Sequence, residues 1–266
     1  MKKIEEVVVV TNFPDEFAAH EDASLSKAIS AHVPSRVQDV KTLLRFDIKD
    51  TSAYAFRCIY GVSGTVETDL FPLYKELDDR KIPYINKFSG KGDQKGKEYL
   101  VELYAAGYPV VPTSLSAHAA ISYGAAEYLV KPTFGGSGRG QRVVPHSALS
   151  TFAMPRHTII QPKLDVAYET SYLFVENEFE YAVKTRKERW DLVIHEPTEH
   201  ELGIAQRMVE WNPIKGIQRI DCIWTTSGEQ LVLELEDWCP FLSLYDTPGT
   251  PKDKFVFDLL VSLGAL

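Results

Sequence analysis

Four charged residues in the C-terminal part of the chain have the types and spacing of a divalent-cation site: Arg219, Asp221, Glu234 and Glu236. Between them, Ser227 and Gly228 are typical of a two-residue hairpin turn. A hairpin centred on this pair, with a loop of two residues or of the four from Thr226 to Glu229, places Asp221 directly opposite Glu234. It also places Arg219 opposite Glu236, and because side chains alternate between faces along a strand, all four share one face.

The charges on this predicted face favour a bound metal ion. Like charges directly opposite each other destabilise a sheet, so Asp221 facing Glu234 predicts a neutralising cation. Carboxylate oxygens suit Mg²⁺, which proteins hold with one or two carboxylates and substrate phosphates. The alternative is a solvent-exposed polar face that an Arg219–Glu236 ion pair partly relieves. The other face of the hairpin is predicted to be apolar and to carry Ile220, Cys222, Leu233 and Leu235.

Residues 128–140 have the composition of a phosphate-binding loop. A short apolar strand ends at Lys131, and Pro132 stops that strand because proline cannot donate to a sheet ladder. The segment that follows contains Gly135, Gly136, Ser137, Gly138 and Gly140. Its backbone N–H groups can approach an anion closely, and a lysine supplies a point charge for phosphate. The alternative for this segment is a flexible β-hairpin tip.

Composition narrows the classes of function. The chain has 266 residues, of which 44% are hydrophobic and 25% charged, as in an ordinary globular protein. A net charge of −8 argues against binding to a nucleic-acid backbone. The three cysteines are scattered, and no apolar stretch has the length of a membrane helix. We therefore expect reduced thiols, no membrane partner and a cytoplasmic location.

The order of predicted elements divides the chain into three parts, residues 1–113, 114–165 and 166–266. The first part alternates strands and helices, which predicts an open α/β sheet. Its strands are predicted at 7–10, 53–60 and 82–85, and its helices at 21–32, 67–80 and 97–106, with 34–50 unassigned. The second part predicts strand, glycine loop, strand, helix and strand. The third predicts antiparallel strands over 170–186, helices over 198–210 and 251–263, and the hairpin over 217–237.

Residues 82–245 resemble the ATP-grasp superfamily, which includes D-alanine–D-alanine ligase, glutathione synthetase and the ribosomal-protein glutamate ligases. The resemblance rests on four matches in the order of the family. The segment from Lys97 through the connector 107–113 resembles the lysine-bearing helix and its GxPVPxT sequence. Lys131 and the glycine loop resemble the second lysine and the phosphate-covering loop. Residues 159–164 resemble the hinge strand beside the adenine, and the charged hairpin resembles the metal-binding hairpin.

The resemblance implies a role for each matched residue. It implies phosphate contacts from Lys97, Lys131, Gly135, Gly136, Ser137 and Gly138. It implies adenine contacts from Gln161, Lys163 and Leu164 and ribose contacts from Glu169. It implies that Mg²⁺, or Mn²⁺ in its place, binds Asp221, Glu234 and Glu236. Arg219, and Arg186 as a second candidate whose alternative is plain surface charge, are expected to stabilise the reacting groups.

The sequence also departs from the family pattern. Glu236 stands where the family usually has asparagine, which adds a negative charge to the metal site. Pro240 follows one residue later than usual. Gln161 and Pro162 stand in the hinge, where an acid and a free N–H are common, so the adenine contacts are expected to differ.

The resemblance implies an α/β (α+β) protein with the ATP-grasp fold, in which an N-terminal α/β domain precedes two mostly antiparallel α+β subdomains that grip ATP. It implies an ATP- and Mg²⁺-dependent ligase that activates a carboxylate as an acylphosphate for attack by an amine or thiol. The substrates would be small molecules or peptides, and a homodimer is a common state of such enzymes. Two alternatives stay open: an ATP-binding phosphotransferase or regulatory module, and an interaction protein with a decayed site.

Overall fold

The computed structural model describes residues 3–12, 16–43, 48–57, 65–135, 138–186, 191–238, 240–244 and 247–266. Its N-terminal part is a parallel sheet of β1 (Glu6–Thr11), β2 (Ser35–Asp39), β3 (Ser52–Phe56) and β4 (Tyr84–Ile85). The strand order is β2-β1-β3-β4. The helices of this part are α1 (Glu16–Ile29), α2 (Val40–Leu43) and α3 (Thr65–Arg80).

The burial of β1 agrees with its position in a parallel sheet. Residues 7–10 have no exposed surface, as expected for a continuous apolar strand that is covered on both faces. The predicted open α/β sheet is therefore confirmed. The structure corrects its details: α1 begins at Glu16 and ends at Ile29, and the unassigned region contains β2. β3 ends at Phe56, and residues 58–60 of the predicted strand lie outside the described residues.

A smaller antiparallel sheet follows. Its strands are β5 (Glu127–Pro132), β6 (Arg142–Pro145) and β7 (Thr158–Pro162), in the order β6-β5-β7. It is preceded by α4 (Tyr99–Ala105) and α5 (Ala117–Ala120), so Lys97 lies just before α4 rather than in it. The helix predicted between β6 and β7 is wrong, since the structure has a 3-10 turn at His146–Ala148. Serine and threonine in this segment compete with helical hydrogen bonds and favour turns.

The large sheet contains the acidic hairpin. Its strands are β8 (Val166–Val175), β9 (Glu178–Arg186), β10 (Leu192–His195), β11 (Ile217–Thr225) and β12 (Gln230–Glu236). All neighbours are antiparallel, in the order β10-β9-β8-β11-β12. β10 was not predicted. The helices of this part are α6 (Glu199–Trp211), which a Thr198–Glu201 capping box begins, and α7 (Lys252–Ser262).

The register of the β11–β12 hairpin confirms the predicted pairing of the acids, although the turn differs from the predicted one. Asp221 pairs with Glu234 and Arg219 with Glu236, but Cys222 pairs with Val232. The turn has three residues rather than two, because Thr225 N bonds Glu229 O at 2.9 Å. The three-residue turn shifts the strand pairing next to it by one residue from the predicted register. A bulge at Leu233 restores the predicted register for Asp221 and Glu234.

The bulge also changes which way Leu233 faces, so the prediction for this residue is wrong. The other three predicted apolar residues, Ile220, Cys222 and Leu235, are fully buried in one core with α6. Leu233 instead packs with Ile223 and Leu231 in a separate cluster. A bulge places two residues opposite one and so re-aims the side chains beside it.

The large sheet connects the other two. Side chains of β1, β3 and α1 share one core with those of β8, β9 and α7. The connector 109–113 bonds to β12 through Val111 N to Val232 O at 3.0 Å. Ser114, the next residue, forms a bridge to Ile160 of β7. The boundaries at residues 113 and 165 stay predictions. No helix in the described ranges has the length and apolarity needed to cross a bilayer.

Candidate active site

The three acids of the hairpin converge. Carboxylate oxygens of Asp221, Glu234 and Glu236 lie within 4.8 Å of one another. Arg219 forks onto Asp221, with Nε donating to Oδ1 and Nη2 to Oδ2, each at 2.8 Å. The same Nη2 lies 2.9 Å from Glu236 Oε2. Arg219 thus contacts two of the three carboxylates, and the three acids together carry more negative charge than this one guanidinium offsets.

These residues fit a hard divalent cation. Glu236 Oε2 is buried, and no donor in the described part of the chain meets it with hydrogen-bond geometry, despite the nearby guanidinium. Burial, together with the charges of Asp221 and Glu234, raises the pKa of Glu236 well above its usual range, although Arg219 opposes this. A buried carboxylate oxygen without a donor is costly. Carboxylate oxygens of this kind are the ligands that Mg²⁺ prefers.

Arg219 is fixed in place from several sides. Its Nη1 donates to the Phe241 carbonyl at 2.9 Å, and its side chain is 12% exposed. Burial acts to lower the pKa of Arg219, but the charges of Asp221 and Glu236 outweigh it and raise that pKa. Arg219 therefore stays charged beside the carboxylates.

Lys97 joins the acidic face from a different part of the chain. Its Nζ lies 2.6 Å from Glu234 Oε2 and also bonds Asp93 Oδ2. Only 7% of the lysine is exposed. Burial acts to lower the pKa of Lys97, yet Asp93 and Glu234 raise it overall. Burial raises the pKa of Asp93 to about 7, although Lys97 opposes the shift.

Asp237 holds the segment before α4, residues 90–97, which we call the Lys97 loop. The buried Asp237 carboxylate accepts hydrogen bonds from Gly92 N and Gln94 N at 2.9 Å. It also accepts one from Asn212 Nδ2 at 3.0 Å. A Cβ on Gly90 would lie 2.0 Å from Asp237 Oδ2, so this position admits no side chain. Burial raises the pKa of Asp237 to about 6 against these donors.

Lys131 approaches the same site from the small sheet. Burial is the main cause that lowers the pKa of Lys131, and the charges that act on it include Glu234, Lys97 and Glu169. Among the described residues, no carboxylate lies within ion-pair distance of it. Within the described ranges Lys131 thus has no ion-pair partner, and it is partly withdrawn from solvent.

The glycine loop is tied to the Lys97 loop at its base. Lys97 N donates to Thr133 O at 2.8 Å. Beyond that point Gly135 and Gly138 have φ values of 118° and 69°, which favour glycine. Gly136 and Ser137 lie outside the described residues. The loop backbone therefore begins beside both lysines.

The hinge residues are placed differently from one another. Gln161 is buried, and its Nε2 donates to Thr113 Oγ1 at 2.9 Å. The Lys163 ammonium pairs with Glu127 at 2.6 Å, so its charge is directed to that surface carboxylate. Leu164 packs beside Val111 in the cluster that also contains Ile223, Leu231 and Leu233. Ile223 of that cluster lies two residues from Asp221 on β11, so the cluster lies beside the acids along this strand.

Glu169 and Arg186 are the remaining predicted residues. Glu169 of β8 pairs with Ile223 of β11. Glu169 is exposed. Partial desolvation of its carboxyl first, then the Asp221 and Glu234 charges, raise the pKa of Glu169, so it lies near the acidic group. Arg186 is the last residue of β9, where its backbone pairs with Tyr168. The structure does not describe the side chain of Arg186, so the role of this residue stays a prediction.

Comparison with solved structures identifies the fold. No protein-family model matches the sequence, and the curated proteins contain no match to it. The D-cycloserine synthetase DcsG superposes with a TM-score of 0.70 at 19% identity, covering 97% of this chain and 99% of that chain. The ATP-grasp ligase PsnB in complex with a minimal precursor superposes at 0.68 and 15% identity, covering 98% and 100%.

A third solved structure agrees with these two. The macrocyclase MdnC bound with precursor peptide MdnA, from Microcystis aeruginosa MRC, superposes at 0.65 and 15% identity, covering 96% of this chain and 99% of that chain. The likeness extends over nearly the whole of each chain. The predicted resemblance is thereby confirmed at the level of the fold: the protein has the fold of these solved structures, among which PsnB is an ATP-grasp ligase.

Two acids of this region were missed from the sequence. Asp93 lies four residues before Lys97, and that spacing is a known signal for an ion pair. Asp237 follows Glu236 directly, where simple alternation places it on the apolar side of the hairpin with Leu235. Its backbone donors come from residues more than 140 positions earlier, and nothing local indicates them.

Proposed function

We propose that this protein is an ATP- and Mg²⁺-dependent ligase that joins a carboxylate to an amine or a thiol. The observation that carries the proposal is the convergence of Lys97 and Lys131, from separate elements, on the carboxylates of one hairpin. A site that binds ATP phosphates commonly binds a divalent cation as well, because the cation neutralises the charge of the phosphates. The fold supports the same class of enzyme.

Each part of ATP has a proposed position. The phosphates contact Lys97, Lys131 and the backbone of the glycine loop. The adenine lies against the apolar cluster that contains Leu164 and Leu231. Since Gln161 already donates to Thr113, the adenine contacts of the hinge come from its backbone. Glu169 accepts hydrogen bonds from the ribose.

Asp221, Glu234 and Glu236 are the residues that would hold Mg²⁺. When bound, the cation neutralises charge on the phosphates during transfer. Arg219 stays protonated beside these acids and stabilises negative charge on the acyl group. Phe241 O and Asp221 keep its guanidinium in one orientation, which avoids the cost of ordering it during the reaction.

The proposed reaction has two steps. A substrate carboxylate oxygen forms a bond to the γ-phosphorus of ATP while the bond to the β–γ bridging oxygen breaks, which gives an acylphosphate and ADP. The nitrogen or sulfur of the second substrate then attacks the acyl carbon, phosphate leaves, and the nucleophile loses its proton to solvent. PsnB and MdnC are bound to precursor peptides, and DcsG is a D-cycloserine synthetase. We therefore propose a peptide or a small amino-acid derivative as the carboxylate donor.

Hydroxylamine trapping tests this reaction. The protein is incubated with ATP, Mg²⁺, hydroxylamine and separate carboxylic acids or peptides, and both ADP and hydroxamate are measured. We expect hydroxamate with a particular acid and none without Mg²⁺. Stable phosphate transfer to an alcohol, with no hydroxamate from any acid, would instead indicate a phosphotransferase.

Glu234→Gln tests the proposed metal site, since it removes the charge of one proposed ligand. We expect it to lower ADP release by more than about 100-fold, beyond the usual cost of changing a residue that only supports a metal ligand. Glu229→Gln is the control, since Glu229 is exposed and directly follows the turn of the same hairpin. Equal activity of the two variants would refute the assigned metal site.

A further inference from the structure

In the part of the chain that the structure describes, Lys97 has two acidic partners, and they belong to different parts of the fold. Glu234 is on β12 in the group of acids proposed to bind Mg²⁺, and its Oε2 lies 2.6 Å from Lys97 Nζ. Asp93 is in a 3-10 turn of the Lys97 loop, four residues before the lysine. The lysine side chain is 9% exposed. Its charge is therefore neutralised almost entirely by these two carboxylates.

The Glu234 carboxylate has two competing uses. A divalent cation and an ammonium that share one carboxylate repel each other and compete for its charge. If Glu234 were the sole partner of Lys97, binding a cation there would leave a buried lysine without a counter-ion. An unpaired buried charge is strongly unfavourable.

Hydrogen bonds hold the Asp93 carboxylate beside Lys97. Its Oδ1 accepts a hydrogen bond from the Tyr99 hydroxyl at 3.0 Å, while Oδ2 bonds the lysine. The Tyr99 hydroxyl in turn accepts from Leu235 N at 2.6 Å. Leu235 lies between two of the proposed metal ligands. The position of Asp93 is thus fixed relative to the strand that carries them.

We propose that Asp93 is a positioning residue that retains the Lys97 ammonium, so that Glu234 can give its charge to a divalent cation while Lys97 reaches a phosphate. The proposal rests on the proposed function for the identity of the cation and the phosphate. Asp93 acts through Lys97 and touches neither ligand.

Two binding measurements test the proposal without turnover. Mn²⁺ binding to the nucleotide-free protein is followed by the electron paramagnetic resonance of the free ion, and Mg²⁺–ADP binding by calorimetry. Lys97→Met removes the competitor of the cation, so we expect tighter Mn²⁺ binding. The same variant loses a phosphate contact, so we expect Mg²⁺–ADP to bind about tenfold more weakly. A general loss of structure would weaken both.

Asp93→Asn leaves Lys97 to pair with Glu234 alone. We expect it to weaken both Mn²⁺ and Mg²⁺–ADP binding, and Asp93→Glu, which keeps the charge, to restore part of each. Asp79→Asn is the control, because Asp79 pairs with Lys75 at the same spacing of four residues on an exposed surface. It is expected to change neither affinity.

The double variant separates positioning from direct binding. If Asp93 acts through Lys97, adding Asp93→Asn to Lys97→Met changes Mn²⁺ affinity by less than about twofold. A large further loss would make Asp93 a metal ligand and overturn the proposal, and so would unchanged Mn²⁺ affinity in Lys97→Met alone. The Mn²⁺ measurement needs no nucleotide. Failure of the wild-type protein to bind Mg²⁺–ADP would therefore count against the proposed function and leave this test intact.

Discussion

Two arginine–carboxylate clusters contact the segment 240–244 and have closely similar geometry. Arg57 Nε lies 3.0 Å from Asp22, its Nη2 lies 2.8 Å from Glu21, and its Nη1 donates to Pro240 O. Arg219 forks onto Asp221 at 2.8 Å, lies 2.9 Å from Glu236, and donates to Phe241 O. Each guanidinium thus lies within ion-pair distance of two acids and donates to one carbonyl of the same segment.

The two clusters differ in their surroundings. The side chains of the Arg57 cluster are at most 2% exposed, and Glu21 also accepts from Leu242 N and Ser243 N. Those of the Arg219 cluster are 12–19% exposed and lie beside a third acid, Glu234. The ion pairs alone therefore do not indicate function. Solvent accessibility and excess negative charge distinguish the Arg219 cluster, a candidate functional site, from the Arg57 cluster, which has a structural role.

The largest expected effect would confirm the Arg57 cluster as structural. Arg57→Met leaves Glu21 and Asp22 buried without their cation, which typically costs about 3–5 kcal/mol of unfolding free energy. Urea unfolding measures it. Arg36→Met is the control, since Arg36 forms an exposed pair with Glu6, and we expect a loss of at most about 1 kcal/mol. Similar losses in both variants would contradict the distinction between the clusters.

The matching change at the other cluster is expected to affect activity. Arg219→Met should lower ATP turnover by about 10²–10³-fold, the scale for one group that stabilises developing negative charge. Because its acids are left uncompensated next to a cation site, added Mn²⁺ should raise the melting temperature of this variant. Mn²⁺ should raise the melting temperature of Arg57→Met by no more than it raises that of the wild-type protein, because this variant keeps the cation site unchanged. An equal Mn²⁺-dependent rise in the two variants would mean that the clusters do not differ as described.

Lys131 tests the comparison in another way, since no carboxylate of the described residues lies within ion-pair distance of this lysine. Lys131→Ala should weaken ATP binding by about 1.5–3 kcal/mol, the scale of a hydrogen bond to a charged group. Calorimetry measures the change, and Lys163→Ala, whose ammonium pairs with Glu127, is the comparison variant. Unchanged affinity in a folded Lys131→Ala protein would remove this lysine from the site.

The smallest expected effect is a pH dependence of the Arg57 cluster. Burial raises the pKa of Glu21, although Arg57 and two backbone donors oppose it. Losing Arg57 raises that folded-state pKa further above the unfolded value of 4.5. A folded state with the higher pKa takes up a proton first as the pH falls, so acidification stabilises it relative to the unfolded state. The loss in Arg57→Met should therefore be smaller at pH 5 than at pH 8, by on the order of 1–2 kcal/mol. A loss that grows on acidification would contradict this assignment.

The same comparison explains what could be predicted from the sequence. The acid pairing of β11 and β12 is local, because one turn brings Asp221 opposite Glu234. The parallel sheet follows from a short apolar run. Both kinds of signal depend on neighbours in the chain, and the structure confirms both.

The Arg57 cluster gave no such signal. Its acids precede it by 35 and 36 residues, and its carbonyl partner follows by 183. Asp237 was missed for the same reason. The bulge at Leu233 was missed because alternation assumes a regular ladder, and here the three-residue turn displaced the register by one. The three-residue turn and the bulge offset each other, so the predicted acid pairs were right although the turn was not.

The attachment of the Lys97 loop to Asp237 has a consequence for folding. The bonds from Gly92 and Gln94 close loops of 145 and 143 residues, and closing such long loops is entropically unfavourable until the intervening sheets have formed. Lys97 is therefore expected to reach its place only after β12 does. Pulse-labelled hydrogen exchange during refolding should show the amides of Gly92 and Gln94 gaining protection together with β12, well after β1. The lysine and the acids would then become ordered in one late step.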